Sequence, residues 1–139
     1  MLIAGTLTCL ALNVYFESRG ESLAGQYGVA LVTLNRAEQT SRNVCDVVMA
    51  PKQFSWTDRV QRRHRRWVLP KDMAPVETDA WKKAVWVATV TMTGVVADIT
   101  RGATYYDRKD VHPAWEKKMR VVAKIGRHRF MVPIKSSVT

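Results

Sequence analysis

Apolar residues recur at helical spacing from the first residues of the chain. Ile3, Leu7, Leu10, Ala11, Val14 and Tyr15 predict a helix over Leu2 to Glu17, with Gly20 as its terminator. Ser22 is placed to cap a second helix, Ser22 to Ala37, whose apolar set is Leu23, Tyr27, Val29, Ala30, Leu31, Val32 and Leu34. A short third helix fits Asn43 to Met49, and Pro51 stops it. Gln53 to Thr57 is too aromatic for a free linker and reads as an ordered loop. A longer helix fits Thr78 to Thr93, with Trp81, Ala84, Val85, Ala88, Thr89 and Met92 inward and Gly94 at its end.

The period then changes. Ala103 to Tyr106 is a candidate strand, and Pro113 to Lys118 is one helical turn with proline first. Arg120 to Ile125 and Arg129 to Ile134 form a hairpin about Gly126. The pattern predicts an α+β chain, mainly helical, with a small C-terminal antiparallel sheet. No repeat or linker divides it, so residues 1–139 read as one domain.

Composition narrows the class. At 139 residues, 47% hydrophobic and 24% charged, the chain can bury a core without a metal or a disulfide framework. Cys9 and Cys45 are expected as two buried free thiols, and no cluster of cysteine and histidine suggests zinc or another cofactor. A net charge of +10 implies an anionic partner, either nucleic acid or a bacterial envelope. The apolar start lacks any Lys or Arg before Arg19, so it reads as a buried helix rather than a signal peptide or membrane span.

The segment Glu17-Ser18-Arg19-Gly20-Glu21 puts two carboxylates at a helix end beside a glycine turn. Apolar neighbours and the negative end of the helix dipole both push the Glu17 pKa upward, which suits a general acid. The alternative is a surface loop held by salt bridges. Glu21 is expected to cap the next helix or to pair with Arg19. Gln53, Phe54, Ser55 and Trp56 mix hydrogen-bonding groups with flat rings, as sugar recognition does, although Trp56 could equally be core. Tyr105 and Tyr106 point to opposite faces of a strand, and Tyr106 is favoured for a cleft. His128, His112 and His64 read as structural. The run Arg59, Arg62, Arg63, Arg65, Arg66 and Lys71 suits phosphates, yet nothing near it resembles a helix-turn-helix, an RNA-recognition fold or a zinc finger.

The stretch Ala11-Leu12-Asn13-Val14-Tyr15-Phe16-Glu17-Ser18-Arg19-Gly20-Glu21 continues through Gly25-Gln26-Tyr27-Gly28-Val29-Ala30 to Leu34-Asn35-Arg36. It resembles the cell-wall hydrolase family of spore-cortex-lytic enzymes, the SleB type, which has an E-A-R-G-E core followed by G-Q-x-x-V-A and L-N-R. Gln53-Phe54-Ser55-Trp56, Ala103-Thr104-Tyr105-Tyr106 and Ile125-Gly126-Arg127-His128-Arg129-Phe130 match in the same order. The resemblance covers nearly the whole chain. Ser18 stands where the family often has alanine, and the Arg59 to Lys71 insertion has no family counterpart.

The resemblance implies a lysozyme-like fold, related to lytic transglycosylases, and one essential glutamate, Glu17. It implies cleavage of the β-1,4 bond between N-acetylmuramic acid and N-acetylglucosamine in peptidoglycan. Ser18, Gln53, Phe54, Ser55, Trp56, Tyr105 and Tyr106 are the candidate substrate contacts. A transglycosylase would use Glu17 alone, whereas a muramidase would use a second carboxylate, for which Glu21 leads over Asp58, Asp107 and Asp110. A non-catalytic wall-binding module and an arginine-based nucleic-acid binder are the rivals. The expected partners are peptidoglycan and, through Arg59 to Lys71, anionic envelope polymers; the chain is expected to be monomeric and to need no cofactor. The expected place of action is the wall or periplasm. A phage endolysin released from the host cytoplasm through a holin fits the lack of an export signal, and so does a bacterial cell wall hydrolase trimmed to its catalytic domain.

Overall fold

The computed structural model of the chain describes residues 1–3, 5–76 and 78–134. Among them lie the helices α1 (Thr6–Ser18), α2 (Leu23–Thr40), α3 (Val44–Met49) and α4 (Asp79–Met92). The strands are β1 (Leu2–Ile3), β2 (Gln61–Arg63), β3 (Arg66–Val68), β4 (Tyr105–Arg108), β5 (Met119–Ile125) and β6 (His128–Pro133). They form two antiparallel sheets, ordered β1-β3-β2 and β4-β6-β5.

The helix starts follow their capping residues. Ser22, Asn43 and Thr78 each adopt extended backbone, and each side-chain oxygen accepts from an amide of the first turn: Gly25, Asp46 and Trp81. The first helix begins later than its apolar spacing predicts. Leu2 and Ile3 instead pair with Val68 and Trp67 of β3, and Gly5, at φ 88°, turns the chain into α1. Residue 4, inside the predicted helix, lies outside the described residues. No helix among the described residues is long and apolar enough to cross a membrane.

α1 is the central helix. Cys9 to Tyr15 are all buried, so apolar side chains surround it rather than forming one stripe. It packs against α2, α3 and α4. The buried face of α4 is Ala84, Val87, Ala88 and Thr91, rotated from the predicted face: Thr89 and Met92 are exposed. Valines occur around the whole of α4, so its pattern does not select one stripe. The small residues Ala84 and Ala88, both fully buried, mark the inward face.

Cys9 and Cys45 form a disulfide, with Cα atoms 5.3 Å apart. This corrects the expectation of free thiols. The reason is tertiary: α1 and α3 pack side by side and bring the two cysteines within bonding reach, which neither count nor spacing reveals.

The second sheet packs on α2 through one close approach. A Cβ built on Gly28 would lie 2.4 Å from Cζ of Phe130, which is wholly buried. Glycine at this position lets β6 sit against α2, and β6 pairs Phe130 with Tyr106 of β4. The close contact therefore sets the height of β4 above the end of α1.

Candidate active site

Glu17 lies in the last turn of α1, and Tyr106 of β4 reaches it across the fold. The phenol donates to Oε1 of Glu17 at 2.5 Å. Burial raises the Glu17 pKa above its ordinary value; the hydrogen bond from Tyr106 opposes that shift and is the smaller influence. The same burial, together with the nearby carboxylate, pushes the Tyr106 phenol well above its usual range, so it is a fixed donor at neutral pH. Tyr106 is held from several sides, by Phe54 (centroids 6.5 Å apart), Phe130 (6.1 Å) and the edge-on ring of His128 (5.3 Å).

Two motif residues without a predicted role build the frame. Arg36, near the end of α2, donates through Nε and Nη2 to the Thr104 carbonyl at 2.9 and 2.6 Å. Its Nη1 reaches Oε1 of Gln53 at 2.8 Å, and its guanidinium lies 4.6 Å from the Tyr105 ring centre. Burial lowers its pKa, but an arginine stays charged. Asn35 beside it donates to Asp98 and to the Ala103 carbonyl. Together they fasten the entry to β4 onto α2. Asn13 does the same for the other side of the site. Wholly buried, it donates to Thr33 at 3.2 Å and accepts from the Trp56 indole at 2.9 Å, joining α1, α2 and the aromatic loop.

The predicted substrate contacts divide. Gln53 and Ser55 are exposed, with Phe54 and Trp56 buried between them. Phe54 backs Tyr106, and Trp56 stacks on Phe16 at 4.9 Å, so both aromatics serve as packing here. Tyr105 faces away from Glu17 and packs at 5.8 Å against Trp115, an exposed ring outside the aromatic motifs of the chain. A network of Arg129 with Asp107 and Glu116 holds the short turn carrying Trp115. Ser18 is not presented to a ligand: it is 1% exposed, and its hydroxyl donates to the Val14 carbonyl one turn back. Ser18 is withdrawn as a substrate contact for that reason.

Glu21 pairs with Arg127 at 3.1 Å rather than with Arg19, whose guanidinium donates to the Tyr15 hydroxyl. Asp107 is committed to Arg129, and Asp110 lies 3.5 Å from Arg108. The group hydrogen-bonded to Glu17 is a phenol. His128 is buried, and burial lowers its pKa, which keeps the ring neutral at physiological pH. Among the described residues no group of three or more ligating side chains could hold a metal.

A hollow of about 180 Å³ is bounded by Arg36, Gln53, Thr104 and Tyr105. A larger one, about 760 Å³, has Asn35, Gln39, Thr104 and Arg120 among its walls. Neither is lined by Glu17. The shielded carboxyl and its phenol therefore locate the site better than either hollow does.

The fold and the shielded glutamate at the end of its central helix define a lysozyme-like α+β domain. The chain belongs to the cell wall hydrolase family, whose model matches residues 20–131. Among solved structures it is similar to the catalytic domain of the germination-specific lytic transglycosylase SleB from Bacillus anthracis. The identity is 31% over 91% of this chain and 93% of that one, with a TM-score of 0.67. The catalytic domain of the Bacillus cereus SleB protein is similar at 30% identity, over 91% and 89% of the two chains, with a TM-score of 0.66. No curated protein sequence matches the chain.

Proposed function

We propose that the protein cleaves the glycan strands of peptidoglycan at the β-1,4 bond between N-acetylmuramic acid and N-acetylglucosamine, with Glu17 as both acid and base. The observation that carries this reading is the Glu17 carboxyl, shielded by burial and held by the Tyr106 phenol at 2.5 Å. Family membership and the likeness to lytic transglycosylase domains support it. The family match starts at Gly20, beyond Glu17, so the role of Glu17 rests on its geometry and on its motif.

Tyr106 occupies Oε1, which leaves Oε2 to carry the acidic proton. That proton passes to the bridging oxygen as the bond from C1 of the muramic ring breaks, and the N-acetylglucosamine side leaves as an alcohol. Positive charge develops at C1. Glu17, now a carboxylate, takes the proton of the C6 hydroxyl as that oxygen bonds to C1. The product is a 1,6-anhydro ring, and Glu17 is again protonated. This route needs one carboxylate, in keeping with Glu21, Asp107 and Asp110 being engaged by arginines. The exposed Gln53 and Ser55 are the contacts that would orient the strand. The basic run from Arg59 to Lys71 would keep the enzyme close to anionic envelope polymers.

Mass spectrometry of fragments released from purified peptidoglycan, beside a Glu17→Gln control, tests the reading. Anhydro-muramic ends made by the wild type and not by the variant are expected. Reducing muramic ends would make the protein a muramidase. Equal release by the variant would remove Glu17 from the chemistry.

A further inference from the structure

The arginine run folds into a feature that its composition does not announce. β2 and β3 form a hairpin in which Arg63 stands directly opposite Arg66, and Arg62 opposite Trp67. Opposed residues of an antiparallel pair project from the same face, so Arg63 and Arg66 share one face and Arg62 lies on the other, 4.4 Å from the centre of the Trp67 ring. Like charges directly opposite destabilise a hairpin. The two turn residues, His64 and Arg65, both have positive φ, 50° and 64°. Such a two-residue turn normally takes Asn-Gly, because side chains resist that conformation. All five residues from Arg62 to Arg66 are exposed, and among the described residues none of the four arginines lies within ion-pair distance of a carboxylate. Repulsion and backbone strain are thus concentrated in one projecting tip, and an external anion would relieve the repulsion.

The surroundings of the tip select the kind of anion. β1 adds to the other edge of β3, which places Leu2, 47% exposed, opposite Val68. A groove of about 460 Å³ is lined by Leu2, Ile3, Gly5, Arg65, Arg66 and Trp67. Its lining combines apolar side chains with Arg65 and Arg66. A polyphosphate or nucleic acid in solution would use the arginines alone. A lipid surface uses both, with headgroup phosphates on the arginines and the upper acyl carbons against Leu2 and Val68, which share a face with Arg63 and Arg66.

We propose that the Arg62–Arg66 hairpin, with Leu2 and Val68, is a docking site for an anionic phospholipid bilayer surface, which holds the enzyme at the membrane face of the wall. This specifies the envelope contact of the proposed function. Its test is independent of glycan cleavage, so either reading can fail without the other.

The experiment is co-sedimentation of the protein with vesicles of phosphatidylcholine alone or mixed with phosphatidylglycerol, at low and high salt. Binding is expected only to the anionic vesicles and is expected to fall with salt. Replacing Arg62, Arg63, Arg65 and Arg66 together by Gln should lower partitioning by about fivefold per residue, roughly two to three orders of magnitude in all. Removing the Arg63–Arg66 repulsion means this variant should melt no lower than wild type by circular dichroism, which separates lost binding from lost folding. Leu2→Ser should weaken vesicle binding severalfold and leave retention on a polyphosphate column unchanged. Vesicle binding that survives the four replacements, or no vesicle binding at low salt, overturns the proposal. So does binding to duplex DNA in preference to anionic vesicles with no effect of Leu2→Ser.

Discussion

The Glu17 carboxyl is subject to two opposed influences, and their order has consequences that can be measured. Burial raises its pKa and outweighs the lowering by Tyr106. A general acid must be protonated, so kcat/KM should fall as pH rises through the raised Glu17 pKa. Tyr106→Phe removes the opposing hydrogen bond. Its alkaline limb should therefore move to higher pH than that of the wild type, while the peak rate drops; a pH–rate profile of the two proteins checks this. Stability follows the same sign. A carboxyl whose folded pKa lies above its unfolded value contributes stability that is complete below the unfolded pKa and lost as pH rises through the folded one. Once ionised, the shielded Glu17 is a cost, so above its raised pKa Glu17→Gln should melt higher than wild type. The gap should close in acid, as thermal melts at several pH values would show. The motif made Glu17 conspicuous, and strand alternation set Tyr106 apart from Tyr105. The burial of Ser18 was not legible, because whether a serine near a helix end turns outward or bonds back one turn is settled by what packs over it.

Between helix and sheet, the contact of Gly28 with Phe130 sets a narrow tolerance. Alanine in a helix interior ordinarily gains about 1 kcal/mol over glycine. Here the added methyl meets the buried Phe130 ring, so Gly28→Ala should instead cost about 1–3 kcal/mol, the usual range for overpacking. It should also lower activity by moving β4; chemical denaturation and a turnover assay read the two effects. Elements defined by their own residues were legible. The starts of α2, α3 and α4 follow from Ser22, Asn43 and Thr78, and the β5–β6 hairpin follows from its alternation about the Gly126 turn. Elements defined by a distant partner were not. β1 is two residues long and exists because β3 offers it an edge. The β2–β3 hairpin shows no apolar alternation, because Arg62, Arg63 and Arg66 take half of its strand positions and His64 and Arg65 its turn. The inward face of α4 was misjudged because its valines lie on all sides, and only contact with α1 chooses among them.

Across the molecule, two features beyond the active site govern behaviour. The Cys9–Cys45 bond closes a loop of 36 residues and joins α1, which carries Glu17, to α3. Chain-entropy arguments for a loop of that size give about 3–4 kcal/mol of stabilisation. Reduction, or Cys45→Ser, should therefore lower the denaturation midpoint markedly, measured with and without reductant. The second feature is the net charge of +10. Degradation of intact wall should decline steeply with added salt, as screening shortens to about 3 Å at 1 M. Turnover of short, uncharged glycan fragments should barely change, and parallel assays at several ionic strengths compare the two.

The basic hairpin enters the chain between the loop carrying Gln53 and helix α4, yet its strands join β1 rather than β4, β5 or β6. Its length and charge can therefore be rewritten without shifting the register that brings Tyr106 to Glu17. For an engineer this makes the tip, residues 62–65, an exchangeable cartridge, to be replaced by one suited to another surface while Trp67 and Val68 keep their pairing with β1. For a lineage, it is a stretch where mutation can explore new surfaces at small risk to the site.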